Sequence, residues 1–144
     1  MTGTRSSMAE LAAALRPALL RLSRAVRSQR VDVSVSLACL SALGTLRKHG
    51  PMSAGDLAAF ERVQPPSITR VLASLEQRGL VRREAHPSDK RQAIIVISDA
   101  GQELLAAERR SSNAWLARRL AELTPTERAL VRDVIPVLDK LAEL

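Results

Sequence analysis

The chain has 144 residues and a formal net charge of +7, and 46% of its residues are hydrophobic. This length predicts one domain with its own core, and the hydrophobic content excludes global disorder. The basic excess, which lies in residues 1–50 and 64–92, favours a polyanionic partner such as nucleic acid or an anionic membrane surface; the alternative is a basic surface that serves only solubility.

No membrane-spanning or secretory segment is expected. The longest run without a charged residue, 33–46, is shorter than the ~20 residues that cross a bilayer. The N-terminus also lacks the apolar stretch of a signal peptide. The single cysteine, Cys39, cannot form an internal disulfide, which agrees with a reducing compartment. The sequence therefore predicts a soluble cytoplasmic protein.

Two helices are predicted in the first third of the chain. Apolar residues recur every three or four positions over 8–26, and Pro17 interrupts them, so this segment is either one bent helix or two helices. Ser36 predicts the N-cap of a second helix that ends at Gly50-Pro51. Cys39 lies within the apolar run of this helix and is therefore predicted to be a core residue and not a reactive thiol.

A pair of short helices is predicted next. Ser53 is followed three residues later by Asp56, an acidic variant of the capping box, which predicts a helix start. The buried side of this helix is expected to consist of Leu57, Ala58 and Phe60. Pro65-Pro66 then begins a second helix, and Gly79 ends it as a C-cap residue. Two helices joined by so short a turn predict a helix-turn-helix motif.

The second helix of this motif carries two contrasting faces. At about 100° per residue, one face is apolar and consists of Ile68, Val71, Leu72 and Leu75. The opposite face has Pro66, Arg70, Ala73 and Gln77 at its centre, with Thr69 and Ser74 beside them. Arg pairs with guanine and Gln with adenine, Thr and Ser reach phosphates or base edges, and Ala permits close approach to a thymine methyl group. This face predicts a recognition helix; the alternative is an ordinary exposed helix.

A β-hairpin is predicted directly after this helix. Its strands lie at 80–85 and 93–97, and its polar loop lies at 86–91 with Lys90 and Arg91 at the tip. A basic hairpin that follows a recognition helix forms a wing, which can place an arginine in the minor groove of DNA. The alternative is a solvated turn that happens to be basic.

Two further helices are predicted in the C-terminal third. Ser98 caps the first, and residues 124–127 form a capping box for the second, which Pro136 is expected to bend. The apolar stripes at 8–26 and 130–141 exceed what a small winged domain covers. Pairing with a second copy would bury them and would match a palindromic operator. The alternative is a helical cap within a monomer.

Several short motifs follow one another in this region of the chain. They are Leu57-Ala58, Pro66-Ser67-Ile68-Thr69-Arg70-Val71-Leu72, Leu75-Glu76, Gly79-Leu80-Val81-Arg82, Asp89-Lys90-Arg91 and Ser98-Asp99-Ala100-Gly101. In this order they resemble the MarR (multiple antibiotic resistance regulator) family of winged helix-turn-helix regulators. The resemblance implies a mainly α-helical fold with a small β-hairpin wing. It implies one domain, 1–144, with a winged lobe at 36–98 and dimerisation helices at 8–30 and 99–144.

The resemblance also assigns roles to individual residues. Thr69 and Arg70 match positions that contact DNA, and Ser67 matches a phosphate contact. Arg91 matches the arginine of the minor groove, and Asp89 matches the acid that orients it. The full set of candidate DNA-binding residues is Ser53, Pro66, Ser67, Thr69, Arg70, Ala73, Ser74, Gln77, Lys90 and Arg91.

The function implied by the resemblance is transcriptional regulation. Members form homodimers on double-stranded DNA, and many release it when a small, often phenolic, ligand binds between the dimerisation helices and the DNA-binding lobe. This chain has no Tyr, one Phe and one Trp, so few side chains are available to stack on a phenolic ligand. The effector and its site therefore remain unassigned.

Enzymatic function is not expected. His49 and His86 have no neighbouring Cys or carboxylate in ligand spacing, and the sequence has no phosphate-binding loop or nucleophile elbow. No metal or other cofactor is expected either. Two alternatives to an effector-controlled regulator remain: an architectural winged-helix DNA binder, and a protein-interaction module with the same fold.

Overall fold

The computed structural model describes residues 3–143, with side chains from residue 7 onward. In chain order, the elements are α1 (Gly3–Arg27), α2 (Leu37–His49), β1 (Met52–Ser53), α3 (Ala54–Glu61), α4 (Pro65–Gln77), β2 (Val81–Ala85), β3 (Ala93–Ile97), α5 (Asp99–Ala121) and α6 (Pro125–Glu143). The predicted fold class, mainly α-helical with a small hairpin, is confirmed.

The chain divides into two compact units. The central unit comprises residues 30–110, and the terminal unit comprises residues 1–29 and 111–144. The lobe predicted at 36–98 lies inside the central unit, which also includes the loop before α2 and the first half of α5.

The central unit has a continuous apolar core. Helices α2, α3 and α4 supply most of it, and each of the three strands and α5 adds one residue. The largest fully buried side chains are Leu43, Leu46, Leu57, Leu72, Leu75, Ile95 and Val35. Cys39 lies in this core with 2% of its surface exposed, as predicted. Its thiol is therefore shielded from oxidants in solution.

The predicted N-caps of the central unit are confirmed, whereas the C-cap of α4 is Arg78 and the predicted C-cap residue, Gly79, follows it. The Ser36 hydroxyl accepts a hydrogen bond from the Cys39 amide at 3.1 Å, and the Ser53 hydroxyl accepts one from the Asp56 amide at 3.1 Å. These bonds satisfy backbone donors that have no partner within a helix. Gly79 has a φ of +68°, a left-handed conformation that favours glycine after a helix.

The hairpin belongs to a sheet of three antiparallel strands in the order β1-β3-β2. In register, Val81 faces Ile97 and Met52 faces Ile95. The two hairpin strands lie where the sequence predicts them. Strand β1 was not predicted, because a strand of two residues has no periodicity of its own and depends on β3 for its hydrogen bonds.

The predicted burial of Phe60 is wrong. Leu57 and Ala58 are buried, but Phe60 is 53% exposed. It lies in the last turn of α3, and its ring stacks on the imidazole of His49 with 4.3 Å between the ring centroids. The buried side of this eight-residue helix is thus only one turn long, and the aromatic ring packs on the end of α2 instead of the core.

Gly101 lies where α5 begins beside the hairpin. A Cβ atom at this position would lie 2.2 Å from the carbonyl oxygen of Leu80 and 2.9 Å from Cγ1 of Ile97. Ser98, the predicted cap, accepts a hydrogen bond from the Gly101 amide through its hydroxyl at 3.1 Å. The absence of a side chain therefore allows α5 to start against the wing.

The terminal unit contains two proline-bearing helices. Both α1, with Pro17, and α6, with Pro136, are continuous, so Pro17 does not divide its segment into two helices. The predicted capping box is confirmed, because Thr124 and Glu127 exchange hydrogen bonds at 2.8 and 3.2 Å. The backbone amide and then the hydroxyl of Thr124 hold the pKa of Glu127 below its usual value.

Candidate nucleic-acid interface

Helix α4 is amphipathic in the way the sequence predicts. Ile68, Leu72 and Leu75 are buried, and Val71 is half-buried. On the opposite face, Ser74 is half-buried and the remaining candidates are exposed, namely Pro66, Ser67, Thr69, Arg70, Ala73 and Gln77. The structure thus places these candidate DNA-binding side chains on one accessible helix face.

Two neighbouring side chains of this face, Thr69 and Arg70, differ in their contacts with the rest of the protein. The Thr69 hydroxyl donates a hydrogen bond to the Pro65 carbonyl at 2.9 Å, so it has its lone pairs and its methyl group left for a base edge. Arg70 makes no hydrogen bond or ion pair with any residue that the structure describes. Its five N–H donors are therefore free for an acceptor outside the chain.

Several nearby arginines are engaged within the protein. Arg83 pairs with Glu76 at 2.5 Å, and Arg82 pairs with Glu84 at 2.8 Å. Arg78, the C-cap residue of α4, donates to the Ser34 hydroxyl and carbonyl at 2.9 and 3.0 Å. Sequence reasoning missed these pairs. In contrast to these three arginines, Arg70 on α4 has a guanidinium with no partner among the residues that the structure describes.

The wing carries the predicted acid–arginine pair. The Asp89 carboxylate lies 3.5 Å from Nε of Arg91 and also accepts a hydrogen bond from the Arg91 amide at 3.0 Å. The Arg91 side chain is 93% exposed, and Lys90 is exposed beside it. Contact between the two residues is therefore present, while the orienting role of Asp89 stays a prediction.

His86 holds the wing loop in shape. Its Nδ1 accepts hydrogen bonds from the amides of Ser88 and Asp89, both at 3.1 Å. A nitrogen that accepts from amides carries no proton, so the proton of the neutral ring is on Nε2. The sequence analysis considered the chemistry of His86 only to exclude a metal-binding or catalytic role. The signal in the sequence for this structural role was the position of a histidine at the start of a polar turn.

Ser53 has a structural task in addition to its predicted one. It is half-buried, its hydroxyl caps α3, and its backbone belongs to β1. The hydroxyl proton is not needed for the cap, so contact with a phosphate is compatible with this geometry. Its place in the DNA-binding set stays a prediction.

The sequence comparisons cover both this surface and the rest of the chain. The MarR family model matches residues 35–93, which include α2, α3, α4 and most of the wing. An HTH-type transcriptional regulator of Mycobacterium tuberculosis is 46% identical over 137 residues, which are 95% of this chain and 96% of the relative. The chain belongs to the MarR family. It is a DNA-binding transcriptional regulator, in a class that is not enzymatic.

Solved structures agree with this MarR-family assignment. A Pseudomonas aeruginosa protein described as a transcriptional regulator has a TM-score of 0.86 at 31% identity, covering 96% of this chain and 97% of that chain. A MarR family protein of Bacillus stearothermophilus has a TM-score of 0.81 at 19% identity, covering 97% and 98%. The fold of the MarR family is thus shared over nearly the whole length.

Two other similar proteins have more specific descriptions. The HTH-type transcriptional repressor MdtR of Bacillus subtilis is 30% identical over 113 residues, which are 76% of this MarR-family chain and 70% of MdtR. The structure of Bordetella bronchiseptica BpsR, whose DNA binding is regulated by 6-hydroxynicotinic acid, has a TM-score of 0.66 at 20% identity over 92% of each chain. At that identity, BpsR supports the fold alone.

Within the described part of this MarR-family protein, no cluster of three His, Cys, Asp or Glu side chains is arranged to hold a metal ion. Among the same residues, no helix combines the length and hydropathy needed to cross a membrane.

Proposed function

We propose that this MarR-family protein is a homodimeric repressor that binds a palindromic operator in the cytoplasm and is released by a small-molecule effector. The exposed face of α4 is the observation that carries the proposal. Its centre is small or hydrogen-bonding, and Arg70 has no partner among the described residues. A helix that enters the major groove needs this combination of close approach and unengaged donors.

The wing supports a second contact to the same DNA. Arg91 is exposed and lies beside Asp89, and a guanidinium held by a carboxylate loses fewer conformations when it enters a narrow groove. The minor groove attracts arginine where A·T-rich sequence narrows it. We therefore assign base-edge reading to α4 and groove-shape reading to Arg91.

The apolar surface of the terminal unit supports the homodimer. Helix α1 exposes Met8, Leu11, Leu19, Leu20 and Leu22, and α6 exposes Leu130, Val134, Ile135, Val137 and Leu141. Apolar side chains in such numbers on one unit are typical of an interface. A second copy, related by a two-fold axis, would cover them and would present two recognition helices to successive major grooves.

A cavity of about 400 Å³ in the central unit supports binding of an anionic effector. Its lining is Ser41, Gly44, Thr45, Arg47, Lys48 and Arg109. The three cations make no ion pair with a described residue, whereas both hydroxyls donate to the Glu61 carboxylate. Open cationic groups favour a carboxylate ligand. Control by repression is supported by the relative MdtR, which is a transcriptional repressor.

Footprinting on the DNA upstream of its own gene tests the proposed function. We expect a discrete protected site with two symmetric halves, and expect reporter expression to rise when the protein is removed. Coating without sequence preference would favour the architectural DNA binder. Absence of binding would favour the protein-interaction module and contradict the proposal.

Effector release is tested by operator binding in the presence of benzoate and of benzamide, its uncharged counterpart. We expect benzoate at millimolar concentration to weaken operator binding and benzamide to have less effect, because only benzoate pairs with the cations of the cavity. The Arg47→Ala variant should lose the difference between the two compounds. Equal effects of both compounds on the wild type would contradict an anion-selective effector site.

A further inference from the structure

One buried carboxylate of the central unit has no part in the interface described above. Glu108, on α5, is 6% exposed. Its two oxygens accept hydrogen bonds from the consecutive amides of Val31 and Asp32, each at 3.0 Å. Consecutive backbone amides that converge on an anion form a binding concavity for it. Glu108 therefore fixes the start of the loop at 30–36, which leads into α2.

Arg30 completes the attachment of this loop. Its Nε lies 3.7 Å from the Glu108 carboxylate and is buried without a hydrogen bond to any described residue. Its Nη2 donates to the Asp32 carbonyl at 3.0 Å and also to the Val35 carbonyl. The charge of Arg30 is thus offset by Glu108, while its other donors close the loop on itself. Loss of the carboxylate would leave a buried cation and two amides unpaired.

The opposite side of the same loop holds the end of the recognition helix. The Ser34 hydroxyl and carbonyl accept hydrogen bonds from the guanidinium of Arg78, and the Ser34 hydroxyl donates to the Asp32 carboxylate at 2.5 Å. The Ser34 hydroxyl and then its amide hold the pKa of Asp32 below the usual value, with Arg78 contributing less. Arg78 is the C-cap residue of α4 and directly follows Gln77.

We infer that Glu108 is a positioning residue for DNA binding, because through the loop at 30–36 and Arg78 it fixes the C-terminal end of α4. The inference rests on the proposed function, in which that end of α4 reaches base edges through Gln77. Buried residues hold the middle of the helix, from Ile68 to Leu75. Its last residue lies beyond them, where the polar link from α5 acts on one side and the Arg83–Glu76 pair acts on the other.

A different role for Arg78 would explain the same geometry only in part. If Arg78 bound a DNA phosphate, its contacts with Ser34 would be incidental and Glu108 would affect stability alone. Ser34 separates these accounts because it is exposed and uncharged. Ser34→Ala removes the hydroxyl that bridges Arg78 and Asp32. It leaves every charge of the chain in place, together with the direct ion pair of Arg78 with Asp32 at 3.9 Å and the bond of Arg78 to the Ser34 carbonyl.

The first test is a double-mutant cycle on operator affinity with Glu108→Gln and Ser34→Ala. We expect each single variant to weaken operator binding by roughly three- to tenfold. The double variant should bind the operator only slightly more weakly than the single variant with the lower affinity. The dependence of affinity on salt should stay unchanged, because no phosphate contact is removed. Glu103→Gln is the matched control on α5, since Glu103 forms an exposed ion pair with Arg110; it should bind like the wild type.

The second test is hydrogen exchange in the DNA-free protein, with circular dichroism to establish that each variant is folded. We expect amides 75–79 to exchange faster in both variants, while amides 68–72 keep wild-type rates. If Glu108→Gln does not fold, Ser34→Ala alone carries this test. Unchanged exchange at 75–79, or independent effects that multiply in the double variant, would overturn the positioning role. A wild type that binds no operator but shows the expected exchange pattern would instead count against the proposed function.

Discussion

The central and terminal units differ in where their apolar side chains lie. In the central unit, Leu43, Leu57, Leu72 and Leu75 are completely buried. In the terminal unit, Leu130 on α6 is 63% exposed. A buried core stabilises the unit that contains it, whereas exposed apolar side chains gain stability only when a partner covers them. The difference suggests that the central unit carries stability and DNA reading, and that the terminal unit carries association.

The largest effect expected from this difference is on the core. Leu72→Ala should lower the free energy of unfolding by about 2–5 kcal/mol, because it removes a fully buried side chain and leaves a cavity. Denaturant unfolding at several protein concentrations measures it. Leu130→Ala is the matched control, and its effect should shrink on dilution, because a side chain that acts on association stabilises the protein only while two copies are paired. An equal and concentration-independent loss in both variants would remove the distinction between the units.

A second substitution tests the close contact between α5 and the wing within the central unit. Gly101→Ala should lower the free energy of unfolding by roughly 1–3 kcal/mol, because the new Cβ would lie 2.2 Å from a backbone oxygen. Gly44→Ala on α2 is the control, since a Cβ there meets no atom within 4 Å. It should stabilise by up to about 1 kcal/mol through helix propensity. Stabilisation by Gly101→Ala, measured by thermal unfolding, would contradict this packing.

The third prediction separates engaged arginines from unengaged ones. Arg70→Ala should weaken operator binding by roughly 1–3 kcal/mol and reduce the preference for operator over random DNA. Arg82→Ala removes the same charge from a residue that pairs with Glu84, so it should change affinity less and leave the preference unchanged. Fluorescence anisotropy on both DNAs measures the two effects. If both variants lost the same affinity for operator and for random DNA, α4 would contribute positive charge but no sequence preference.

The wing offers a smaller effect with an informative sign. Asp89→Ala should weaken operator binding by up to about 1 kcal/mol, because Arg91 loses the carboxylate beside it. Simple electrostatics predicts the opposite sign, since a negative charge near DNA is removed. Comparison with Arg91→Ala on operators with A·T-rich and G·C-rich flanks checks the mechanism. Tighter binding by Asp89→Ala would show that the two residues do not act as an oriented pair.

The smallest effect concerns acid and the terminal unit. The hydrogen bonds from Thr124 lower the pKa of Glu127 in the folded protein. A carboxylate whose folded pKa is lowered stabilises the protein above its ordinary value near 4.5, and this contribution is lost as pH falls through the folded pKa. Glu127→Gln should therefore be less stable than the wild type at neutral pH, and the difference should shrink below pH 4.5. A difference that is the same at all pH values would argue against this linkage.

Sequence reasoning succeeded where a feature depends on near neighbours. The caps at Ser36 and Ser53, the capping box at 124–127 and the two faces of α4 involve residues within a few positions of each other. Sequence reasoning failed where the partner is distant. The hydrogen bonds of Glu108 reach residues 76 and 77 positions away, and no periodicity signals them.

The same distinction applies to the site. The candidate face of α4 follows from helical periodicity, but which arginine on or near it is unengaged does not. Arg78 is held by Ser34 and Arg83 by Glu76, and both contacts depend on how the chain folds back on itself. The prediction for Phe60 was wrong for a related reason, because the sequence does not show that its ring stacks on His49 at the end of α2.

The central claim is that two copies, paired through their terminal units, place two α4 helices on one palindromic operator. Light scattering of the purified protein–operator complex tests it most directly. The account predicts a protein mass per duplex of twice the 15.6 kDa of one chain. In a binding titration, full affinity should require that both half-sites are intact and about 34–36 Å apart. One chain per duplex, with the same affinity for a half-site as for the whole operator, would contradict it.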